Sequence, residues 1–296
     1  MRYDALKYFV APAIGTSELW RTGLGVALTF MAGLALYQLF FALLSNVIGP
    51  DLTRALIDAT SFDTSSPAAT LYILATFAFF ALGLAMVTTT IHRRSPATLF
   101  GPLAAVASDA LRVTLAVGAL YLLLTILLPQ SVELVRNDGL SRRSWIALLP
   151  ISLTAIALQA GTEELVFRGY LQQQLAARFP DLPLWMVGPA ALFALSHLSP
   201  ATAGDNATLF ALWAFAFGLA AADLTARTGS IGAAFGFHFA NNVIAVLVTS
   251  LAGPGSGLAL YHLPMAMDDP RIASTMLPEF ATLLCGWLAA RLALKV

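Results

Sequence analysis

Two adjacent carboxylates, Glu163 and Glu164, stand at the end of a strongly apolar segment, and Arg168 follows four residues after the second. A Glu or Arg that faces lipid costs at least a few kcal/mol, so these side chains must face protein, water or one another. On a helix Glu164 and Arg168 share a face, whereas Glu163 points about 100° away from Glu164. We therefore expect Glu164 to pair with Arg168 and Glu163 to be available for chemistry. A structural polar cluster that fixes helix packing is the simpler alternative.

The spacing along the chain also predicts that the Glu163 carboxylate lies close to a histidine side chain. The helix that carries the glutamates is expected to continue to Arg178, before prolines at 180 and 183 turn the chain. Glu163 and His197 each lie about sixteen residues from that turn, roughly 24 Å at the helical rise per residue. A lone histidine at a helix end is more often a hydrogen-bonded structural group. The equal offset nevertheless favours an antiparallel hairpin in which carboxylate and imidazole are level.

A second polar pair, His238 and Asn242, lies within an apolar segment at a spacing of four residues, so the two side chains share a helix face. Taken alone, this pair fits an interhelical hydrogen bond equally well. With Glu163 and His197 it supplies what peptide hydrolysis by water needs, namely a base, a partner that orients the water and donors for the oxyanion. Small residues that permit close helix packing precede the pair: Gly229, Gly232 and Gly236.

Zinc is the alternative to metal-free water activation. Two histidines and a glutamate can hold zinc with one position open for water, and the set here would be Glu163, His197 and His238. The His-Glu-x-x-His motif is absent from the sequence, and the two histidines fall on separate predicted helices. We therefore favour no cofactor, with zinc left open. The other histidines, His92 and His262, are expected in loops or interfaces without a role in the site.

The composition is that of a membrane protein. Apolar residues make up 58% of the 296 residues, charged residues 11%, and the mean hydropathy is +0.79. Basic and acidic residues balance at 16 each, so no global charge recruits nucleic acid. The single cysteine, Cys285, excludes an intramolecular disulfide and a cysteine-built metal site.

The predicted fold is an all-α polytopic membrane protein of about eight transmembrane helices, with the polar site on helices four, five and seven. The predicted spans are 24–48, 68–91, 110–129, 145–162, 183–198, 206–226, 231–251 and 274–294. Within one membrane domain we separate an amphipathic N-terminal segment with three scaffold helices (1–144), a catalytic core (145–252), and a loop with the last helix (253–296). The distribution of basic residues favours both termini in the cytoplasm.

Three short motifs follow one another on the predicted helices: Glu163-Glu164-x-x-x-Arg168, Phe193-x-x-x-His197 and His238-x-x-x-Asn242. In type and order they resemble the motifs of the CAAX protease and bacteriocin-processing (CPBP, or Abi) family of intramembrane proteases, which includes the type II CAAX prenyl endopeptidases. The resemblance covers roughly residues 150–250. The lead-in Arg227-Thr228-Gly229-Ser230-Ile231 is similar as well.

The resemblance implies a role for each motif residue. Glu163 and His197 would activate water, and His238 with Asn242 would stabilise the oxyanion. The remaining motif residues would shape the site: Glu164, Arg168 and Phe193. Members of the family are described both as metalloproteases and as glutamate-dependent, metal-free enzymes, the same alternative that the residues leave open.

We therefore predict an intramembrane endopeptidase of the bacterial inner membrane. Its partners would be membrane lipid and a peptide or protein substrate, either a prenylated CAAX-type peptide or another membrane-associated one, and no nucleic acid. The alternatives are a catalytically inactive membrane immunity or binding protein, and a proton-coupled transporter, since Glu and His also relay protons through membranes. The sequence shows no matching second half of the kind that transporters usually carry.

Overall fold

The computed structural model describes residues 3–59, 65–127 and 133–296, which are mostly helical. The helices are α1 (Asp4–Val10), α2 (Leu19–Ile48), α3 (Pro50–Ala59), α4 (Pro67–Thr90), α5 (Leu103–Leu127), α6 (Arg142–Glu164), α7 (Gln173–Arg178), α8 (Leu184–Ser196), α9 (Pro200–Ala203), α10 (Ala207–Thr228), α11 (Gly232–Val243) and α12 (Ile272–Leu294). Two π-helical segments, Leu165–Gln172 and Ile244–Val248, continue α6 and α11. Short 3₁₀ helices cover Ala11–Thr16, Pro96–Leu99 and Gly204–Asn206.

Among the described residues, six helices are long and apolar enough to cross a membrane: Leu19–Ile48, Pro67–Thr90, Leu103–Leu127, Arg142–Arg178, Pro200–Thr228 and Ile272–Leu294. Two shorter apolar helices, Leu184–Ser196 and Gly232–Val248, fall at the other two predicted spans. The protein is thus an all-α, multi-pass integral membrane protein, as predicted. The count of eight crossings stays a prediction, because two of the helices are short. Residues 128 and 129 of the predicted span 110–129 lie outside the described residues.

The helix that carries the glutamates continues to Arg178, as predicted from the sequence. Its middle is a π-helix from Leu165 to Gln172, which the sequence did not predict. A π-turn contains one residue more than an α-turn, and the hydrophobic pattern that indicates helices does not distinguish the two. The side chains after Glu164 therefore do not follow the steps of 100° that the sequence analysis assumed.

Two glycines bring α11 into backbone contact with α5. A Cβ atom added to Gly232 would lie 2.4 Å from the Val106 carbonyl oxygen, and one added to Gly236 would lie 2.5 Å from that of Ala110. Thr114 adds a hydrogen bond from its hydroxyl to the Gly236 carbonyl, at 3.3 Å. The predicted close approach is confirmed, and it fixes the position of α11 and of the polar side chains that follow.

Aromatic side chains join α8, α10 and α11. The rings of Phe217 and Phe237 stack with their centroids 4.8 Å apart, and Phe193 stacks on Phe217 at 6.0 Å. All three are buried. Such pairs add to the hydrophobic gain of burial, so they hold the three helices at a fixed spacing around the polar residues.

A small sheet lies at the end of α11 that is remote from α1. Its strands are β1 (Val135–Arg136), β2 (Thr249–Leu251) and β3 (Tyr261–Leu263) in the order β1-β3-β2, with β1 antiparallel and β2 parallel to β3. Val135 and Ser250 both lie opposite His262. The predicted helix 231–251 is wrong for its last three residues, which form β2 because their backbone pairs with β3.

The N-terminal helix α1 packs on the bundle with its apolar face. Leu6, Phe9 and Val10 are buried in a cluster with Trp185 on α8 and with Ala226 on α10. The apolar face of this predicted amphipathic segment thus contacts other helices of the protein.

Candidate active site

Glu164 is the most deeply buried charge of the site. Its Oε1 accepts hydrogen bonds from Arg168 Nη1 at 2.9 Å and from His238 Nδ1 at 2.8 Å. The side chains of Glu164 and Arg168 are 0% and 1% exposed. Arg168 also donates to the carbonyl of Gly218 on α10 at 3.3 Å. The predicted pairing of Glu164 with Arg168 is confirmed, and the same carboxylate also holds His238.

The hydrogen bond between His238 and Glu164 shows which ring nitrogen of His238 carries a proton. A carboxylate that is paired with Arg168 accepts hydrogen bonds, so Nδ1 of His238 must be the donor. The other nitrogen, Nε2, lies 3.6 Å from Oε2 of Glu163. His238 therefore stands between the two glutamates, with one nitrogen directed at each.

Both glutamates have a buried Oε2 without a hydrogen-bond partner among the described residues, but Glu163 is partly exposed and accepts no hydrogen bond from them, whereas Glu164 accepts two through Oε1. The Glu163 side chain is 15% exposed. The 3.6 Å to His238 is longer than a direct hydrogen bond. A buried polar atom without a partner calls for an explanation, and a catalytic carboxylate that waits for a water molecule is one.

His197 lies at the C-terminal end of α8 and does not pair with Glu163. Its Nδ1 is 2.8 Å from the Phe193 carbonyl oxygen, which can only accept, so Nδ1 carries a proton and Nε2 is the acceptor of the neutral ring. No contact within 4.0 Å joins its ring nitrogens to the Glu163 carboxylate. The equal offset from the turn did not produce this pair because α8 ends at Ser196 and the partner helix contains the π segment.

Phe193 connects the two histidines. Its ring centroid lies 4.4 Å from that of His197 and 6.1 Å from that of His238, and the guanidinium carbon of Arg168 lies 5.1 Å from it. The side chain is 2% exposed. Phe193 therefore packs between the buried charges and the exposed imidazole, as a residue that shapes the site would.

Asn242 lies one helical turn after His238 and bonds to Gln159, which sequence reasoning missed. Asn242 Nδ2 donates to Gln159 Oε1 at 2.8 Å, and Asn241 Nδ2 donates to Asn242 Oδ1 at 3.2 Å. Gln159 precedes Glu163 by four residues in an apolar segment, so the same spacing argument that linked Glu164 to Arg168 could have found it.

The residues do not form a metal site. Within 3–59, 65–127 and 133–296, no group of three His, Cys, Asp or Glu side chains is placed to hold a metal ion. In the zinc set considered above, both histidines donate through Nδ1, to Glu164 and to a backbone carbonyl, which leaves each Nε2 able to bind a ligand, but His197 does not lie beside Glu163 and His238. We derive no chemical step through a metal. Independence from metal stays a prediction, which a chelator tests.

His92 belongs to a separate buried network at the α7 end of the long helix. Its Nε2 is 2.7 Å from the Tyr170 hydroxyl, and its Nδ1 is 2.7 Å from Gln174 Nε2 and 3.0 Å from Thr16 Oγ1. Burial, and then the charge of Arg94, lower the pKa of His92 from 6.5 to about 4. The imidazole is thus a neutral packing group.

Residues 145–244 match the family model described as type II CAAX prenyl endopeptidase Rce1-like. They form an Rce1-like domain. This domain includes all seven motif residues and supports a place among CAAX-type intramembrane proteases, so the resemblance noted in the sequence is confirmed over this range. The chain is also similar to the uncharacterized protein YyaK of Bacillus subtilis (strain 168), with 28% identity over 252 residues that cover 79% of each chain. No solved structure matches the chain.

Proposed function

We propose that the protein is an intramembrane endopeptidase that hydrolyses a peptide bond with water activated by Glu163. One observation carries the proposal: the free carboxylate oxygen of Glu163 faces His238 Nε2, whose ring is held from behind by the buried Glu164–Arg168 pair. The Rce1-like domain around these residues supports the same reaction class.

In the proposed reaction, Glu163 takes a proton from water as the oxygen attacks the carbonyl carbon of the peptide. The electron pair of the C=O bond moves to the oxygen, and the resulting oxyanion accepts hydrogen bonds from His238 and Asn242. The oxyanion then reforms the C=O bond as the C–N bond breaks, the electron pair of that bond stays on nitrogen, and Glu163 returns its proton to the leaving amine. One water is consumed, and a carboxylic acid and an amine are formed.

The contacts of His238 favour a donor role. Its Nδ1 donates to Glu164, which fixes the ring, and its Nε2 is directed at Glu163, where the attacking water would be held. A protonated Nε2 at this place would donate to the oxyanion.

His197 is proposed to orient the attacking water from the other side of Phe193. In the neutral ring Nε2 can accept a hydrogen bond, while the Phe193 carbonyl fixes the ring through Nδ1. Unlike Glu164 and His238, this imidazole is exposed. The proposed role requires Nε2 to reach a water held by Glu163.

The proposed substrate is a membrane-associated peptide or protein, with prenylated CAAX-type peptides as the first class to test. We propose a bacterial inner membrane, with both termini in the cytoplasm. Asp223 supports a location of both chain ends on the same side of the protein. Its carboxylate accepts hydrogen bonds from Tyr3 near the N-terminus at 2.7 Å and from Trp287 on α12 at 3.0 Å. The basic residues supply the argument for the cytoplasmic side.

The test is cleavage of a library of prenylated and unprenylated peptides by detergent-purified protein, with wild type and Glu163→Gln each assayed with and without a zinc chelator. We expect the wild type to cleave in both conditions and Glu163→Gln to fold but not cleave. Chelator-sensitive cleavage would replace the metal-free mechanism with zinc chemistry. Equal cleavage by Glu163→Gln, or no cleavage by folded wild type, would overturn the proposal and favour the binding or immunity alternative.

A further inference from the structure

Gln159 and Glu163 on α6 face Asn242 and His238 on α11 as two successive pairs. In each helix the two polar residues are four positions apart, so they share one face. Glu163 lies opposite His238 at 3.6 Å, and one turn further along, Gln159 lies opposite Asn242 at 2.8 Å. The Gln159 side chain is buried, with 8% of the residue exposed, so water competes little for this bond.

Asn242 and its two amide neighbours form a chain of hydrogen bonds. Its Oδ1 accepts a hydrogen bond from Asn241, and one proton of its Nδ2 goes to Gln159. Rotation of the Asn242 amide alone by 180° would place two donors opposite each other at Asn241 and two acceptors opposite each other at Gln159, so the three amides fix one another's direction. The second Nδ2 proton is left for another acceptor.

We propose that Gln159 is a positioning residue that holds the amide of Asn242 with one N–H directed at the oxyanion. This inference rests on the proposed function for its catalytic meaning, because Asn242 donates to an oxyanion only if the protein cleaves peptides. The placement of the amide itself does not depend on activity. Gln159 contacts neither water nor substrate in this role and acts only through Asn242.

The test in the full-length enzyme compares Gln159→Met, which removes the acceptor at similar volume, with Gln159→Glu, which keeps an acceptor oxygen. Loss of one oxyanion donor costs about 100- to 1,000-fold in kcat, so we expect Gln159→Met to lower kcat at least tenfold, with a smaller change in KM. Gln159→Glu should regain part of this loss. Gln173→Met is the matched control, because Gln173 is a buried glutamine on the same continuous helix that bonds to Thr98 and Arg94, away from the site.

A double variant separates positioning from an independent role. If Gln159 acts through Asn242, Gln159→Met should lower kcat no further in an Asn242→Ala background. Losses that multiply in the double variant would overturn the inference, as would Gln159→Met with the kcat of wild type.

A second measurement decides the inference without activity. The chain has five asparagines, so selective ¹⁵N labelling gives at most five side-chain amide pairs, and Asn242→Ala identifies the pair of Asn242. We expect solvent exchange of the Asn242 amide to be faster by about tenfold in Gln159→Met but not in Gln173→Met. Unchanged exchange would overturn the inference. A wild type that cleaves nothing would instead overturn the proposed function and leave this result to decide the placement of the amide.

Discussion

Arg168 and His238, from different helices, donate hydrogen bonds to the same oxygen of Glu164. One buried carboxylate therefore both neutralises a cation of its own helix and orients a ring of α11. This arrangement divides the work of the two adjacent glutamates, since Oε1 of Glu164 accepts hydrogen bonds from two side chains and Glu163 accepts none from the described residues.

Glu164→Gln is expected to destabilise the protein far more than Glu163→Gln. The first substitution leaves Arg168 buried without a counter-charge, and breaking a buried pair in this way costs about 3 to 5 kcal/mol. The second changes a partly exposed carboxylate that accepts no hydrogen bond from the described residues. Thermal unfolding of detergent-purified variants measures the difference. Asp269→Asn, which breaks the exposed pair with Arg271, is the control and should shift the midpoint least. Equal shifts for the two glutamates would contradict the division.

Gly236→Ala should impair folding because the added methyl group would lie 2.5 Å from the Ala110 carbonyl oxygen, and backbone cannot move aside as a side chain does. Overpacking of this kind typically costs about 1 to 3 kcal/mol. Gly118→Ala is the matched control on α5, since a Cβ atom there meets nothing within 4 Å. The yield of monodisperse protein and its unfolding midpoint report the effect. A normal Gly236→Ala protein would show that α11 and α5 are not in backbone contact.

The stability of the protein should fall as the pH drops from 6.5 to 4, and His92 should cause part of the fall. Its pKa is lowered from 6.5 in the unfolded chain to about 4 by burial and by Arg94, so between these values the unfolded state binds a proton that the folded state does not. At about 1.4 kcal/mol per pKa unit, the full effect is about 3 kcal/mol.

Unfolding midpoints at pH 7 and 4.5 for wild type, His92→Gln and His262→Gln test this contribution. We expect a smaller drop on acidification in His92→Gln than in the other two, because the glutamine does not titrate. His262 is the control, since it lies in the sheet and its Nε2 is 3.3 Å from the Ser256 carbonyl. The same drop in all three proteins would exclude His92 as the source.

The sequence predicted contacts within one helix better than contacts between helices. Glu164 and Arg168 were matched correctly because side chains four residues apart stay on nearly the same face in an α-turn and in the slightly wider π-turn. His197 was assigned to Glu163 from distance along two helices, which requires both to be regular up to those residues. The π segment and the end of α8 break that requirement, and tertiary packing decided that His238 is the neighbour.

The predicted spans were correct and two details were not, because the predictions rest on apolar composition alone. Apolar composition identifies a segment that is buried or in lipid, and this is what the long helices are. It does not distinguish a strand from a helix in a short apolar run, so Thr249–Leu251 was assigned to α11. Backbone acceptors are equally invisible in a sequence, and the carbonyl of Gly218 that receives Arg168 could not have been named.

Because of the π-helical segment Leu165–Gln172, the number of residues in the long helix matters more than which residues they are. The glutamates, which face α11, precede the segment, and its last residue, Gln172, donates to the Ala222 carbonyl of α10 at 3.0 Å. One residue added to the segment would rotate one set about 100° away from its partners, whereas one residue removed is absorbed when a π-turn closes to an α-turn. Single-residue insertions between 165 and 172 should therefore abolish activity even where substitutions at the same positions are tolerated, which parallel insertion and substitution scans would show.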